Sequence, residues 1–152
     1  MPNTAVTLRQ GSTALFANEN TSAARKEIVQ ALFNKLGYCA YVTQESEMDI
    51  LTALNGSGPA FLLTFLKEMM QSSIKEGLPE ALAHDFCIAM ATGALSLLKQ
   101  NDKSIEALIN AITSKGGTTE AGLGVLKSEG FDTLIYRMLK TATQRAIELR
   151  SV

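Results

Sequence analysis

The sequence predicts a mainly α chain: a helical bundle over residues 46–152, preceded by a small strand–helix–strand segment over residues 1–45. Three observations carry this expectation. Apolar residues recur at helical spacing in nearly every stretch after residue 49. Before it, a β-branched and aromatic run at 38–43 follows a helix-periodic stretch. Glycines and prolines then punctuate the later sequence into segments of helix length.

The opening segment reads as follows. Residues 13–17 form a short strand after Gly11, and Asn20 or Thr21 caps a helix with Ala24, Ile28, Leu32 and Leu36 on one face. Gly37 is expected to end that helix, and 38–43 to form a strand. Two or three short strands and one helix cannot cover both faces and edges of a sheet. The segment is therefore expected to be the closing part of a larger α/β unit, with more of it upstream, or a piece that pairs with another chain.

The helical part begins with a short helix at 49–54, after which Gly56-Ser57-Gly58 is expected to turn the chain and Pro59 to occupy a first helical position. The next helix carries Phe61, Leu62, Phe65, Leu66, Met69 and Met70 and stops at Gly77. Pro79 opens another, through Leu82, Phe86, Met90 and Leu97 to about residue 99. Gly93 lies inside it at a cost of up to about 1 kcal/mol relative to alanine, which close packing against a neighbouring subunit would offset. Asp102 or Ser104 caps a helix with Ile105, Leu108, Ile109 and Ile112. A short helix with Leu123, Val125 and Leu126 follows, Gly130 breaks it, and an amphipathic helix runs over 131–149. Helices apolar on more than one face suit an intertwined dimer. The Met69-Met70 pair reads as core or interface filler rather than a binding groove.

Composition narrows the function classes. A net charge of −1 with no basic run argues against nucleic acid, and 46% hydrophobic with 19% charged residues leaves ample core material. Cys39 and Cys87 lack metal-ligand spacing and read as buried thiols of a reducing compartment. The start of the sequence has no signal-peptide pattern, and the apolar runs are interrupted by Lys67 and Glu68 or by Thr92 and Gly93. A cytoplasmic protein with no membrane partner is expected. His84, beside Asp85, has a surface or capping role, and Glu45, Glu47 and Asp49 favour a helix start; no metal site is expected.

One element carries chemistry. Ser114-Lys115-Gly116-Gly117-Thr118-Thr119 sets two glycines and three hydroxyls between two helical runs. The glycines permit close backbone approach, and the helix start that follows offers unpaired N–H groups to an anion. That suits a small carboxylate; a plain helix-to-helix turn is the competing reading. A second glycine element, Asn55-Gly56-Ser57-Gly58-Pro59-Ala60-Phe61, precedes a long apolar helix.

In sequence order, M-P-N-T, T-A-L-F-A-N, A-L-x-G-S-G-P-A-F, E-G-L-P and S-K-G-G-T-T-E-A-G-L, followed by a G-F helix, closely resemble pyrroline-5-carboxylate reductase, over essentially the whole chain. The resemblance implies reduction of 1-pyrroline-5-carboxylate to L-proline with NADPH or NADH, in proline biosynthesis. It implies a helical dimerisation bundle like the C-terminal domain of 6-phosphogluconate dehydrogenase, preceded by the last part of a Rossmann domain, and a homodimer or a larger ring of dimers. It places the substrate carboxylate on Ser114, Gly116, Gly117, Thr118 and Thr119, with the Thr119 hydroxyl beside the ring nitrogen as the catalytic donor. It sets Met1, Asn3 and Thr4 near cofactor and substrate, and Ser57, Gly58 and Pro59 at the turn opening the dimer-forming helix.

The chain departs from the family pattern at three places. Ala5 and Lys115 stand where proline is usual, loosening both loops, and Asn55 replaces a common serine with no expected consequence. The family's dinucleotide turn has no counterpart, since no strand precedes Gly56-Ser57-Gly58-Pro59. The cofactor site is thus expected to be largely absent and the isolated chain inactive. The alternative is a non-catalytic dimerisation or carboxylate-binding module, or a truncated paralogue.

Overall fold

In the computed structural model, which describes residues 1–150, a 3₁₀ turn at Thr4–Leu8 leads into β1 (Gly11–Leu15), α1 (Ala23–Asn34) and β2 (Gly37–Tyr41). Helix α2 (Glu47–Leu51) continues through a π-helical segment at Thr52–Ser57 into α3 (Gly58–Lys75). Helices α4 (Glu80–Gln100), α5 (Ile105–Ile112), α6 (Thr118–Ser128) and α7 (Phe131–Arg150) complete the order. The chain divides into two compact units: Met1–Leu62 with the segment from Ile135, and Leu63–Leu134.

In the first unit β1 and β2 pair in parallel, from Gly11 opposite Gly37 to Leu15 opposite Tyr41. Parallel neighbours need a crossover, and α1 supplies it. Gln30 of α1 donates to the Cys39 carbonyl at 3.3 Å, and the Tyr41 hydroxyl to the Lys26 carbonyl at 3.1 Å. On the other edge of β1, residues 1–3 run antiparallel: the Asn3 N–H donates to the Ser12 carbonyl and the Ala14 N–H to the Met1 carbonyl, each at 3.1 Å. Thr13, Ala14, Cys39, Asp49 and Ala53 are buried here. Burial pushes the Cys39 thiol pKa up, which keeps it a packing group.

Several expected boundaries shift. The first strand begins at Gly11 and ends at Leu15, so Phe16 and Ala17 lie beyond it. Ser22, not Asn20 or Thr21, caps α1, its hydroxyl accepting from the Arg25 N–H. Gly37 begins β2 rather than ending α1. Its φ is +133°, and a Cβ there would collide with the Gly11 carbonyl oxygen, so this strand pair closes only through glycine.

The larger correction concerns Gly56-Ser57-Gly58. These residues do not turn the chain: the helix passes through them with Gly58 at φ −50°, ψ −41°. Pro59 lacks an N–H, and its ring opposes the carbonyl four residues back, which an unbroken α-helix cannot absorb. Widening by one residue into a π turn accommodates it without a break.

In the second unit Ala83 and Cys87 of α4 are buried, the Cys87 thiol donates to the Leu66 carbonyl of α3 at 3.7 Å, and the Phe65 and Phe131 rings lie 6.2 Å apart at 47°. Most large apolar side chains of these helices are exposed, among them Leu63, Phe86, Leu95 and Ile112. Ser104 caps α5 by accepting from the Ala107 N–H at 3.2 Å. Helix α4 is also long and apolar enough, at a mean hydropathy of 1.5, to cross a membrane by length and composition alone. This corrects the expectation that Thr92 and Gly93 interrupt its apolar run too early.

Candidate functional site

The loop between α5 and α6 lies wholly in the second unit. α5 ends at Ile112, and the chain crosses Ser114 and Lys115 to Gly116, whose φ of +73° is the left-handed conformation glycine favours. The Gly117 N–H donates to the Ser114 carbonyl at 3.0 Å, closing the turn. Gly117, rather than a threonine, is the N-cap of α6, with φ −86° and ψ 173°. A Cβ on Gly117 would collide with the Ser114 hydroxyl and press on its carbonyl oxygen, so the loop is this tight only with glycine here.

Thr118 and Thr119 are therefore the first two residues of α6. The first N–H groups of a helix have no acceptor within it. Among the described residues, those of Thr118, Thr119 and Glu120 have no hydrogen-bond partner, and neither do the two threonine hydroxyls. Helix direction adds partial positive charge at the same end. Glu120 turns back instead: its carboxylate accepts from the Gly116 N–H at 2.5 Å and fixes the left-handed residue. Thr119 is half-buried, while Ser114, Lys115, Thr118 and Glu120 are exposed. The structure thus brings Ser114, Gly116, Gly117, Thr118 and Thr119 together at one helix end.

Met1, Asn3 and Thr4 lie in the first unit. Asn3 is half-buried and Thr4 exposed at the start of the 3₁₀ turn, its carbonyl accepting from the Thr7 hydroxyl at 3.0 Å. The Asn3 amide donates to the Ser12 hydroxyl at 3.1 Å and to Asn55 Oδ1 at 3.3 Å. A cavity of about 630 Å³ opens beside them, with Asn3, Ser12 and Asn55 as its polar end and Leu51, Leu54 and Leu62 among its apolar walls. Convergent polar groups in an apolar cavity are the usual form of a small-molecule site.

Asn55 is where the sequence reading misses most. Expected to be without consequence, it joins residues 1–3, β1 and the π-helical segment. Its place in the A-L-N-G-S-G-P run was visible, but only the π turn shows which way the side chain points. Ser12 and Glu120 were also missed, since a strand serine and a first-turn glutamate carry no signal of their own.

His84 keeps the expected surface place, 3.1 Å from the neighbouring Asp85 carboxylate. Among the described residues no group of three histidine, cysteine, aspartate or glutamate side chains is placed to hold a metal ion. Glu47 serves the start of α2: one carboxylate oxygen accepts from the N–H groups of Thr43 and Gln44, each at 2.8 Å. Asp49 is ion-paired to Arg150.

Residues 45–149 match the family model described as pyrroline-5-carboxylate reductase dimerisation. A pyrroline-5-carboxylate reductase of Pseudomonas aeruginosa is 34% identical over 149 residues, 98% of this chain and 55% of the relative, and pyrroline-5-carboxylate reductase 2 of Bacillus subtilis is 33% identical over 99% and 54%. The chain spans about half the length of these relatives. A solved pyrroline-5-carboxylate reductase from Coxiella burnetii superposes with a TM-score of 0.94 at 32% identity, covering 98% of this chain and 55% of the other. The Plasmodium falciparum pyrroline carboxylate reductase, solved with NADP bound, does so at 0.89 and 29%, covering 96% and 59%. With the match spanning the helices and the glycine–threonine loop alike, the chain belongs to the pyrroline-5-carboxylate reductase dimerisation family.

Proposed function

We propose that this chain is the dimerisation and substrate-binding part of a pyrroline-5-carboxylate reductase, a soluble cytoplasmic enzyme reducing 1-pyrroline-5-carboxylate to L-proline with NADPH or NADH. The observation that carries the reading is the α6 N-terminus, where unpaired N–H groups and two free hydroxyls follow a glycine pair inside the family match. There the N–H groups of Thr118, Thr119 and Glu120 receive the substrate carboxylate, and Ser114 flanks it. With the carboxylate pinned, the imine is held in one orientation. The Thr119 hydroxyl then donates to the ring nitrogen, stabilising the amine as it forms.

The described residues fit only one edge of a nicotinamide cofactor. Met1, Asn3 and Thr4 are proposed to face it. The one βα connection among the described residues, between Leu15 and Ala23, has no glycine, and Ser22 already caps α1, so it offers no pyrophosphate cradle. The role of these residues is accordingly confined to binding, orienting and protonating the substrate. The exposed apolar faces of α3 and α4 are proposed to meet a second copy, which accounts for the hydropathy of α4 without a membrane. A domain boundary near residue 45 agrees with the start of the family match.

The same α6 N-terminus, taken by itself, also suits a second reading, a non-catalytic carboxylate-binding module. Both are tested by titrating the protein with L-proline, by sedimentation, and by following NADPH and NADH oxidation with 1-pyrroline-5-carboxylate at concentrations that favour dimers. Turnover supports the reductase. L-proline binding by a dimer supports the substrate-binding and dimerisation role with or without turnover, and neither binding nor turnover sinks both.

A further inference from the structure

We propose that Asn55 is a positioning residue, which from the π-helical segment holds Asn3, and with it residues 1–3, in the place the reaction requires. This rests on the reading of residues 1–4 as facing cofactor and substrate.

A side-chain amide offers two N–H donors and an oxygen with two lone pairs. Asn55 uses all four: Nδ2 donates to the Ser12 carbonyl at 3.0 Å and the Met1 carbonyl at 3.4 Å, while Oδ1 accepts from the Asn3 amide at 3.3 Å and from the Ser12 hydroxyl. Ser12 adds to this by donating its N–H to Asn3 Oδ1 at 3.3 Å and accepting from Asn3 Nδ2 at 3.1 Å. Three segments distant in sequence are thus closed on one group, and Asn3 meets it with its own amide.

The site is half-buried, at the polar end of the cavity, so loss of the amide leaves the facing groups to compete for water in a partly apolar setting. Residues 1–3 are also held along β1, where the Met1 amino group donates to the Ala14 carbonyl at 2.6 Å and the Asn3 and Ala14 N–H groups bond across the pair. Two of these bonds run through the same Ser12 carbonyl and Met1 carbonyl that Asn55 binds. The π turn is what directs this side chain: each helical residue advances by about 100°, so the extra residue sets the face on which Asn55 emerges. π turns of this kind recur at functional sites.

Substitution separates positioning from mere filling of space. Asn55→Asp keeps shape and acceptor oxygens but turns lone pairs towards the Met1 and Ser12 carbonyls. In the dimeric protein we expect Asn55→Asp and Asn55→Ala to speed amide exchange at Asn3 and Ala14 about tenfold while the amides of α1 stay unchanged. Where the wild-type protein turns over 1-pyrroline-5-carboxylate, kcat should fall about tenfold with KM little changed, because the carboxylate loop is untouched. Since Asn55 acts through Asn3, the double variant N3A/N55A should be no slower than N3A. If Asn55→Asp does not fold, Asn55→Ser, which keeps a hydroxyl without the amide's reach, gives the same exchange readout. Unchanged exchange at Asn3 and Ala14 overturns the proposal, and so do kinetic losses that multiply in the double variant. A wild-type protein that binds no L-proline refutes the substrate-binding reading, and the exchange rates decide the role of Asn55 independently of it.

Discussion

The carboxylate of Asp49, on the first turn of α2, meets the guanidinium of Arg150 at the end of α7 at 3.0 Å. The two side chains are unequally placed, Asp49 about 10% exposed and Arg150 about 52%. The pair therefore matters chiefly as the partner of a buried acid.

Arg150→Ala should destabilise the first unit by about 1 kcal/mol, the low end for an unpaired buried charge, because water reaches the arginine side of the pair. Adding Asp49→Asn to Arg150→Ala should return part of that loss, since a neutral amide costs less to leave unpaired. Urea unfolding of the two variants and the parent checks both signs.

Glu47 gives an acid-side dependence. Hydrogen bonds from the Gln44 and Thr43 backbone N–H groups, and then from the Thr43 hydroxyl, hold its carboxyl below the usual carboxylate range. A depressed folded-state pKa stabilises the fold above the unfolded value of about 4.3 and loses that contribution as pH falls through the folded value. Glu47→Gln should therefore unfold with a shallower dependence on pH below about 5 than the parent. Thermal midpoints recorded between pH 3 and 7 provide the comparison, and parallel profiles would refute it.

The glycine pair should respond asymmetrically. Gly116→Ala meets no neighbouring atom and carries only left-handed strain, about 1–2 kcal/mol. Gly117→Ala has an allowed φ but collides with Ser114, so it should distort the loop and weaken L-proline binding at a smaller cost in Tm. Replacing Ser114 by alanine in the Gly117→Ala background removes the nearest obstacle and should restore part of the fold, though not the full affinity. Calorimetric titration beside thermal melts separates the two effects.

The helices were legible in the sequence because their signals are local. Ser104 and Gly130 sit where capping and breaking were expected, and α7 spans nearly the forecast residues. The failures share a cause: a residue was assigned to the nearer of two elements when a distant contact decides. Gly37 follows a helix, yet its conformation answers to the Gly11 carbonyl across the sheet. Gly56 and Gly58 have low helix propensity, but Ala53 buried on the same helix and the bonds of Asn55 keep the segment helical. The carboxylate loop was readable as a glycine–threonine helix start, whereas the back-reaching Glu120 was not, because only the turn at Gly116 brings its carboxylate within reach.

The π turn has a consequence for how this stretch tolerates insertion and deletion. A loop that gains or loses one residue is simply longer or shorter. The π segment already holds one residue more than the same length of α-helix, so losing one among Thr52–Ser57 lets it close to regular α-helix with everything beyond kept in place. Pro59 and Leu62 would keep their places, and what is lost is the face on which Asn55 meets Asn3 and Ser12. For a gene encoding this segment, losing a single codon amounts to pressing out a bulge: the shaft keeps its line, and one side chain loses its aim.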